Sequence, residues 1–570
     1  MAIMPDSHWG RIPRMPSHGE KIIERRVPSL IVRTVTFGPG PVSDAAALDH
    51  LAAFEARHIV ACLQQTREPV HIVATPDGGR RGLALDRDMP SLETAGCPPL
   101  GTLPPLYPEW LGDRDFGEVH GVRFPYVAGE MARGIATTRM VIAMARAEML
   151  CVFGAAGLEP AAVERAIAEL GGELGGSRAW GVNLIHSPAE PALEERTAEL
   201  LVRQGVPIIS ASAYMDITLP LARCAATGLR RDAAGRIVRP TRIFAKVSRP
   251  EVAEKFMSPP PAGLLTALAD RGQLTRDEAR LAGQVPVAED LTVEADSGGH
   301  TDNQPLGAML PAILALRDTV AARHGYQRRI RVGAAGGLGS PQAVAGAFAL
   351  GAAYVLTGSV NQLAIESGVS DDARALLAQA DLADVMMAPA ADMFEMGVQV
   401  QVLRRGTMFG PRARRLYEAY RQYASIEELP LAVRTTLERE VLHESLDEVW
   451  SQTQRFWQQR DPAQLARAAE DGRHRMALIF RWYLGNSSRW AAEGNSARRA
   501  DYQLWAGPAV GAFNRWTAGS FLAEPGERTV TQIALNLLEG AAVITRAHQA
   551  RTYGVAVPPQ AFTFVPRRLG

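Results

Sequence analysis

The sequence predicts an α/β protein built on a closed parallel (β/α)8 barrel, a TIM barrel, and three observations predict it. Between about residues 120 and 365, short β-branched or apolar runs alternate with amphipathic helical stretches, the rhythm of a parallel sheet with crossover helices. There are eight such runs, and their count and even spacing favour closure over an open doubly wound sheet. Strand signal mixes with helix before this region and almost vanishes after residue 365. A small N-terminal α/β module therefore precedes the barrel, and a helical subdomain follows strand eight.

Residues 1–117 carry the β-like runs SLIVRTVTF and VHIVAT and one helix-like stretch, DAAALDHLAAFEARHIVACLQQ. The Pro/Gly-rich linker CPPLGTLPPLYPEWLGD closes what reads as a separate module. Over 118–365 the runs are VRFPYVAG, MLCVFGAAG, WGVNLIHS, VPIISASA, TRIFAKVS, LTVEADSGG, RIRVGAAGG and AYVLTGS. Between them lie helical patterns such as TTRMVIAMARAEM, PAAVERAIAELGG and PLGAMLPAILALRDTVAARHG. The longer connection between the fifth and sixth runs, PPPAGLLTALADRGQLTRDEARLAGQ, adds a helical hairpin. Residues 366–500 place Trp and Tyr at helical spacing (RRLYEAYRQY, LDEVWSQTQRFW, MALIFRWYLG) and form the helical subdomain, with 501–570 a helical segment packing on the barrel.

The chain has 570 residues, too many for one compact core. Its formal net charge is zero, which gives no electrostatic footprint for nucleic acid or an anionic membrane. Cys62, Cys97, Cys151 and Cys224 are widely spaced, with no CxxC and no His-rich cluster, so they read as reduced, mostly buried residues with no metal site. MAIMPDSHWGRIPRMPSHGE lacks the apolar core of a signal peptide, and no apolar stretch is long enough to span a bilayer. The expectation is a soluble cytoplasmic protein. Only Lys21, Lys246 and Lys255 are lysines, so a lysine kept on a buried strand asks for a reason.

In a barrel of this kind ligands bind at the carboxyl ends of the strands, with phosphate commonly between the loops after the seventh and eighth. The seventh run ends in VGAAGGLGSP, with Gly336, Gly337 and Gly339 ahead of a helix opening at Ser340-Pro341. The eighth ends in VLTGS, with Gly358 and Ser359 again at a helix start. Glycines let backbone N–H groups approach phosphate oxygens. Other strand ends are polar: Gly129 and Met131 after the first, Asn183 and His186 on the third, Ser210 and Ser212 on the fourth, Lys246 in the fifth. Asn183 also reads as a capped buried amide. Lys246 is a cation for an electron-rich ring or developing oxyanion, or the ion-pair partner of Glu294 or Asp296. Those two carboxylates, two residues apart, share one side of the sixth strand and read as a structural polar network. Gly298 and Gly299 then turn the chain and deliver His300 to the mouth, where it can donate a proton or bind substrate. The alternative is a solvent-exposed loop histidine. No GxSxG elbow, Walker loop or zinc-deaminase pattern is present.

At these residues the chain resembles a known family. GVNLIHSPAEP, ISASAYMDIT, IFAKVSRPEVAEKFM, VEADSGGHTDNQPL, VGAAGGLGSP, VLTGSVNQ, MAPAADMFEMGVQVQVLRRGT, MALIFRWYLGNSSRWA and GPAVGAFNRW are together similar to the PfaD-type trans-acting enoyl reductases. These serve polyunsaturated fatty acid and trans-acyltransferase polyketide synthases and are relatives of the 2-nitropropane dioxygenase (nitronate monooxygenase) flavoproteins. The resemblance runs from about residue 100 to the C-terminus and is looser in the N-terminal module. It implies a barrel that binds FMN, with the cofactor phosphate on Gly336, Gly337, Gly358 and Ser359 and ring contacts from Gly129, Met131 and Asn183. Lys246, Ser212, Gly298 and Gly299 complete the implied set.

The resemblance further implies that NADPH reduces FMN. Hydride then passes to the β-carbon of an α,β-unsaturated acyl thioester on an acyl carrier protein. His300 and Lys246 are the implied catalytic residues, the first for proton donation or carbonyl orientation, the second for negative charge on the reduced ring. The second strand departs from the family pattern: Cys151 stands where a small residue is expected, and it either crowds the flavin edge or fills the core. Partners implied are the carrier protein and synthase modules, and exposed aromatic helices after residue 410 suit a homodimer. Two other readings compete: nitronate oxidation on the same FMN barrel, and a non-catalytic carrier-docking component. A small nitronate needs no docking surface, whereas a carrier protein does, so the helical subdomain favours the reductase.

Overall fold

The computed structural model describes residues 52–97, 99–188 and 190–570. The run SLIVRTVTF and the first part of the helix-like stretch before residue 52 lie outside these residues. The rest of that stretch is not one helix. Ala53 bridges to Leu83 in extended backbone, and the helix begins only at Ala56, running to Leu63. A three-stranded antiparallel sheet follows, Val70–Ala74 (β1), Arg81–Leu85 (β2) and Pro99–Leu103 (β3), in the order β2-β1-β3.

This module does not stand apart. Ile59, Leu63, Val70, Ile72, Leu83 and Leu103 share one core with Ala547, Ala550, Val555 and Ala561 near the C-terminus. At the same seam Arg67 makes two hydrogen bonds to Glu539, of 2.7 and 2.9 Å. Arg546, fully buried, donates to the carbonyls of Thr66, Glu68 and Pro104. A 40–70-residue module buries little apolar surface alone, and here the long C-terminal helix Val530–Thr552 completes its core.

The eight predicted runs are the eight strands of a closed parallel barrel. They are Tyr126–Ala128 (β4), Leu150–Phe153 (β5), Trp180–Ile185 (β6) and Ile208–Ser212 (β7); then, after a small ribbon of Arg230–Arg231 (β8) and Ile237–Val238 (β9), Arg242–Val247 (β10), Asp290–Glu294 (β11), Arg331–Ala335 (β13) and Val355–Thr357 (β14). The strand Gly299–His300 (β12) lies outside the barrel. Barrel order is β4-β5-β6-β7-β10-β11-β13-β14, closing back on β4 through Val355 opposite Tyr126. These runs carry few polar residues because helices cover their outer faces and the lumen is packed. The expected hairpin between β10 and β11 is present as helices Ala262–Asp270 and Thr275-capped Arg276–Ala282.

The amino ends of the strands are plugged by the helix Arg114–His120. Phe116 stacks on Tyr354 with ring centroids 4.5 Å apart. Beneath them Asp290 accepts two hydrogen bonds from Arg331, 2.6 and 2.8 Å, and lies 3.2 Å from His120 Nε2. Burial works against the Asp290 carboxylate, but His120 and Arg331 outweigh it and hold its pKa well below the usual range.

After the barrel the expectation of almost no strand is corrected. Val385–Pro389 (β15) and Gln399–Leu403 (β16) form an antiparallel hairpin, and β12 adds to its edge through Gly299 opposite Gln401 and His300 opposite Val400. Helices then dominate: Phe409–Gln422, Leu431–Leu437, Leu446–Arg460, Pro462–Glu470 and Gly472–Glu493, followed by Ala509–Thr517 and Val530–Thr552. Among the described residues no helix is long and apolar enough to cross a membrane, and no cluster of ligands fit for a metal ion occurs.

Candidate active site

A cavity of about 820 Å³ opens over the carboxyl ends of the barrel strands, roofed by β12, β16, the helices Leu446–Arg460 and Gly472–Glu493, and the segment 503–509. Its size is that of a cofactor or ligand site. Met131, Asn183, Ser212, Lys246, Gly298, Gly299, His300, Gly336, Gly337, Gly358 and Ser359 all line it. Gly129 does not. Its N–H donates to the Thr357 carbonyl at 2.8 Å, and a side chain there would start 2.4 Å from Leu356 Cδ2. Gly129 thus serves the close packing of β4 on β14. Cys151 is fully buried among core residues, which fits the core reading of that position.

The glycines after β13 and β14 have separate physical reasons. Gly336 and Gly337 take φ of +92° and +72°, the left-handed region that favours glycine. At Gly336 a Cβ would also meet the Ala295 backbone at 2.9 Å, so the β13 end lies directly against the β11 end. Among the described residues the backbone N–H groups of Gly337 and Gly358 have no acceptor. Ser359 Oγ accepts from the Gly507 N–H at 3.1 Å and retains its own proton to donate. Ser340 caps the helix Pro341–Ala349 by accepting from Ala343 N. Free N–H groups, a free hydroxyl donor and nearby helix starts suit a phosphate ester.

Gly298 is required by the roof. A Cβ there would lie 2.8 Å from the Ala506 backbone, and one at Gly339 would lie 2.0 Å from the Ala509 carbonyl oxygen. The segment 505–509 therefore presses directly on both loops. Gln362 Nε2 fixes it further by donating to the Trp505 carbonyl at 2.5 Å.

Lys246 sits between two carboxylates: Nζ is 2.8 Å from Glu294 Oε1 and 3.5 Å from Glu130 Oε1. Burial pulls the ammonium pKa down, but Glu130 and Glu294 outweigh it and raise it. Glu130 also accepts from Ser210 Oγ at 3.0 Å, while its Oε2 is buried without a partner. Asn183 donates to the Ser210 carbonyl and to Ser212 Oγ, at 3.1 and 2.6 Å, so its amide is held by β7. Asp296 does not join Lys246. It accepts from Gln401 Nε2 at 2.7 Å, which ties the β11 loop to β16. His186 turns away from the cavity to pair with Glu194 at 2.9 Å and stack on Tyr214.

His300 is not on a flexible loop, because β16 holds it in a strand. Gly299 before it has φ +84°, which sets the turn into that strand. Asp392 Oδ1 lies 3.3 Å from His300 Nε2. Burial pulls the imidazole pKa down, but the Asp392 carboxylate outweighs it, and the ring titrates above the ordinary histidine value. Glu130, Asp392, Gln401 and the roof residues escaped sequence reasoning. Asp392 comes from the connection between β15 and β16, far along the chain from His300, and Glu130 is hidden between Gly129 and Met131 in a loop. Glu294 was an expected partner of Lys246, as was Asp296, which does not pair with it; the second carboxylate, Glu130, required the fold to be seen.

Comparison with known proteins places this geometry in context. Residues 423–502 match the family model for the inserted helical domain of acyl-carrier-protein S-malonyltransferase, and that match covers the helices over the cavity and none of the barrel. The chain is similar to the solved enoyl reductase domain of MlnA from the macrolactin biosynthesis cluster of Bacillus amyloliquefaciens. That likeness is 35% identical with a TM-score of 0.73, covering 78% of this chain and 99% of that one. The polyketide biosynthesis protein PksE of Bacillus subtilis is 41% identical over 78% of this chain and 58% of its own length. A polyunsaturated fatty acid synthase subunit from Thraustochytrium is 44% identical over 77% of this chain and 30% of its own length. The chain thus spans between about a third and three fifths of these curated relatives.

Proposed function

Since the chain belongs to the family of the MlnA enoyl reductase domain, we propose that it is a trans-acting, FMN-dependent enoyl reductase. Its substrate is an α,β-unsaturated acyl thioester on an acyl carrier protein in polyketide or polyunsaturated fatty acid synthesis, and NADPH is the reductant. The observation that carries this reading is the joining, in one cavity, of a glycine phosphate cradle and a histidine–carboxylate pair, across the mouth of the barrel. The finer identity with the PfaD type belongs to the same proposal, as does the carrier partner, which the helical insert over the cavity supports.

The residues fit FMN. Gly336, Gly337, Gly358 and Ser359 would hold its phosphate, and Met131, Asn183 and Lys246 would border its ring. Bound there, the flavin supplies the hydride chemistry, accepting from NADPH and donating to the β-carbon. The chain supplies the rest. Lys246, kept charged by Glu130 and Glu294, offers a fixed positive field to negative charge developing near the ring. The roof segment 503–509 packs on the cradle loops at Gly339 and Ser359 and would limit the access of water to them. His300, whose protonated form Asp392 favours, would deliver a proton from Nδ1 to the α-carbon, since Nε2 is walled in beside Asp392. Hydride on the β-carbon and proton on the α-carbon together saturate the double bond.

The test is product analysis. A crotonyl thioester on a carrier protein, incubated with the FMN-loaded chain and NADPH, is converted to the saturated butyryl thioester, a gain of two hydrogens by mass, and no reduction occurs when NADPH is left out. Oxygen uptake with a nitroalkane, without reduction of the crotonyl thioester, sinks the proposal in favour of nitronate oxidation.

A further inference from the structure

The cavity has a second polar end that the roles above leave unused. Arg133 follows β4 and sits at φ +58°, a conformation that a non-glycine residue keeps only where its surroundings hold it. Its N–H donates to the Ala156 carbonyl at 2.8 Å, which ties it to the loop after β5. Its side chain passes between two glycines. A Cβ on Gly157 would lie 3.3 Å from Arg133 Cγ, and one on Gly485, in the roof helix Gly472–Glu493, would lie 3.8 Å from Nη2. Glycine at both places leaves the guanidinium room in the cavity wall.

The neighbouring arginines of this wall are neutralised. Arg460 is 2.6 Å from Glu190 and 2.5 Å from Glu159, and Arg481 is 3.3 Å from Glu395. Arg489, half exposed at the rim, has only a distant contact to Glu493 at 3.9 Å. Among the described residues Arg133 forms no ion pair within 4.0 Å, and it lines the cavity. Burial, then the like charges of Arg489 and Arg460, pull its pKa below the ordinary arginine value. An anion bound there would offset both costs, and a guanidinium fork suits the oxygens of a phosphate ester.

We propose that Arg133, assisted by Arg489 at the rim, binds a phosphate ester of a ligand that enters beneath the helical insert, at a site distinct from the glycine cradle. This rests on the proposed function, in which two ligands bring such a group into the cavity: the 2′-phosphate of NADPH and the phosphate of the carrier's phosphopantetheine arm. Calorimetric titration of the FMN-loaded full chain separates them, with 2′,5′-ADP against 5′-AMP as one pair of probes and 4′-phosphopantetheine against pantetheine as the other. The phosphorylated member of one pair binds about tenfold tighter or more, and that pair identifies the source. Arg133→Met removes the difference, Arg133→Lys keeps part of it, and Arg489→Gln, a change at the rim that leaves the fold intact, weakens it severalfold.

Equal binding within both pairs, or a difference that survives Arg133→Met, overturns the site. Should Arg133→Met not fold, an unchanged difference in Arg489→Gln overturns it instead. None of these titrations requires turnover. A chain that reduces no enoyl thioester yet shows the difference keeps this site and loses the proposed reaction, and the converse result does the reverse.

Discussion

At the scale of single residues, the account turns on His300 and Asp392. The carboxylate 3.3 Å from Nε2 raises the ring's pKa against the effect of burial, so the proton is held to a higher pH than on an ordinary histidine. Acyl reduction is expected to fall as pH rises through that raised value, because the donor form is then lost. Asp392→Asn removes the charge that raises it while leaving the burial, so the alkaline limb of the pH–rate profile moves to lower pH. His300→Ala lowers the rate of acyl reduction about 10²–10⁴-fold, the usual worth of a positioned proton donor, with FMN still bound. An alkaline limb unmoved in Asp392→Asn would contradict the pairing. The same pair adds to stability fully below the ordinary histidine pKa, and that contribution fades as pH rises through the raised one. His300 and Lys246 were legible in the sequence because each is a polar residue at or near the end of an apolar run. Their partners Asp392 and Glu130 were not, because the groups that tune a pKa are neighbours in space from distant parts of the chain.

At the scale of elements, two glycines on one loop separate steric from conformational demands. Gly339 touches the roof, where an added Cβ would lie 2.0 Å from the Ala509 carbonyl oxygen, whereas Gly337 faces open space at φ +72°. Gly339→Ala is expected to displace the segment 505–509, cost about 1–3 kcal/mol as overpacking does, and release FMN more readily. Gly337→Ala keeps the roof packed and costs about 1–2 kcal/mol for the left-handed backbone. Denaturant titration with flavin fluorescence reads both effects, and equal flavin loss in the two variants would contradict the role given to the roof. The eight barrel strands were legible because they are apolar runs punctuated by helices. β12 and β15 were not: β12 has only two residues, and β15 ends in Pro389; β16, QVQVL, does alternate with period two, but the helical rhythm around it masked the signal. The late start of the first described helix reflects the Ala53–Leu83 bridge, a tertiary contact that overrides local helix pattern.

At the scale of the whole molecule, the barrel floor and the seam to the N-terminal module are held by buried charge. Asp290, between Arg331 and His120, has a depressed pKa. Its contribution to stability is therefore present above the ordinary aspartate pKa and lost as pH falls through the depressed one. Asp290→Asn leaves Arg331 buried with only Asp115 beside it at 2.6 Å and is expected to cost about 3–5 kcal/mol at neutral pH. The loss shrinks toward acid pH, as urea midpoints over a pH series will show; a cost independent of pH would contradict this assignment. The seam was not legible, since nothing in residues 52–117 announces that their core is closed by a helix more than four hundred residues later. The alternating runs carried the barrel, and the fold then showed what lies over its mouth: the helical insert that a carrier-bound substrate would have to pass.

The central claim, that this cavity holds a flavin which passes reducing equivalents from NADPH to an enoyl thioester, is tested most directly by one anaerobic titration. The FMN-loaded chain is followed at about 450 nm, where oxidised flavin absorbs by the cofactor's own chemistry, during addition of NADPH and then of a crotonyl-loaded carrier protein. The account predicts bleaching by NADPH and full recovery of the absorbance on adding the carrier substrate without oxygen. Absorbance that NADPH does not bleach, or that returns only when oxygen is admitted, would contradict it.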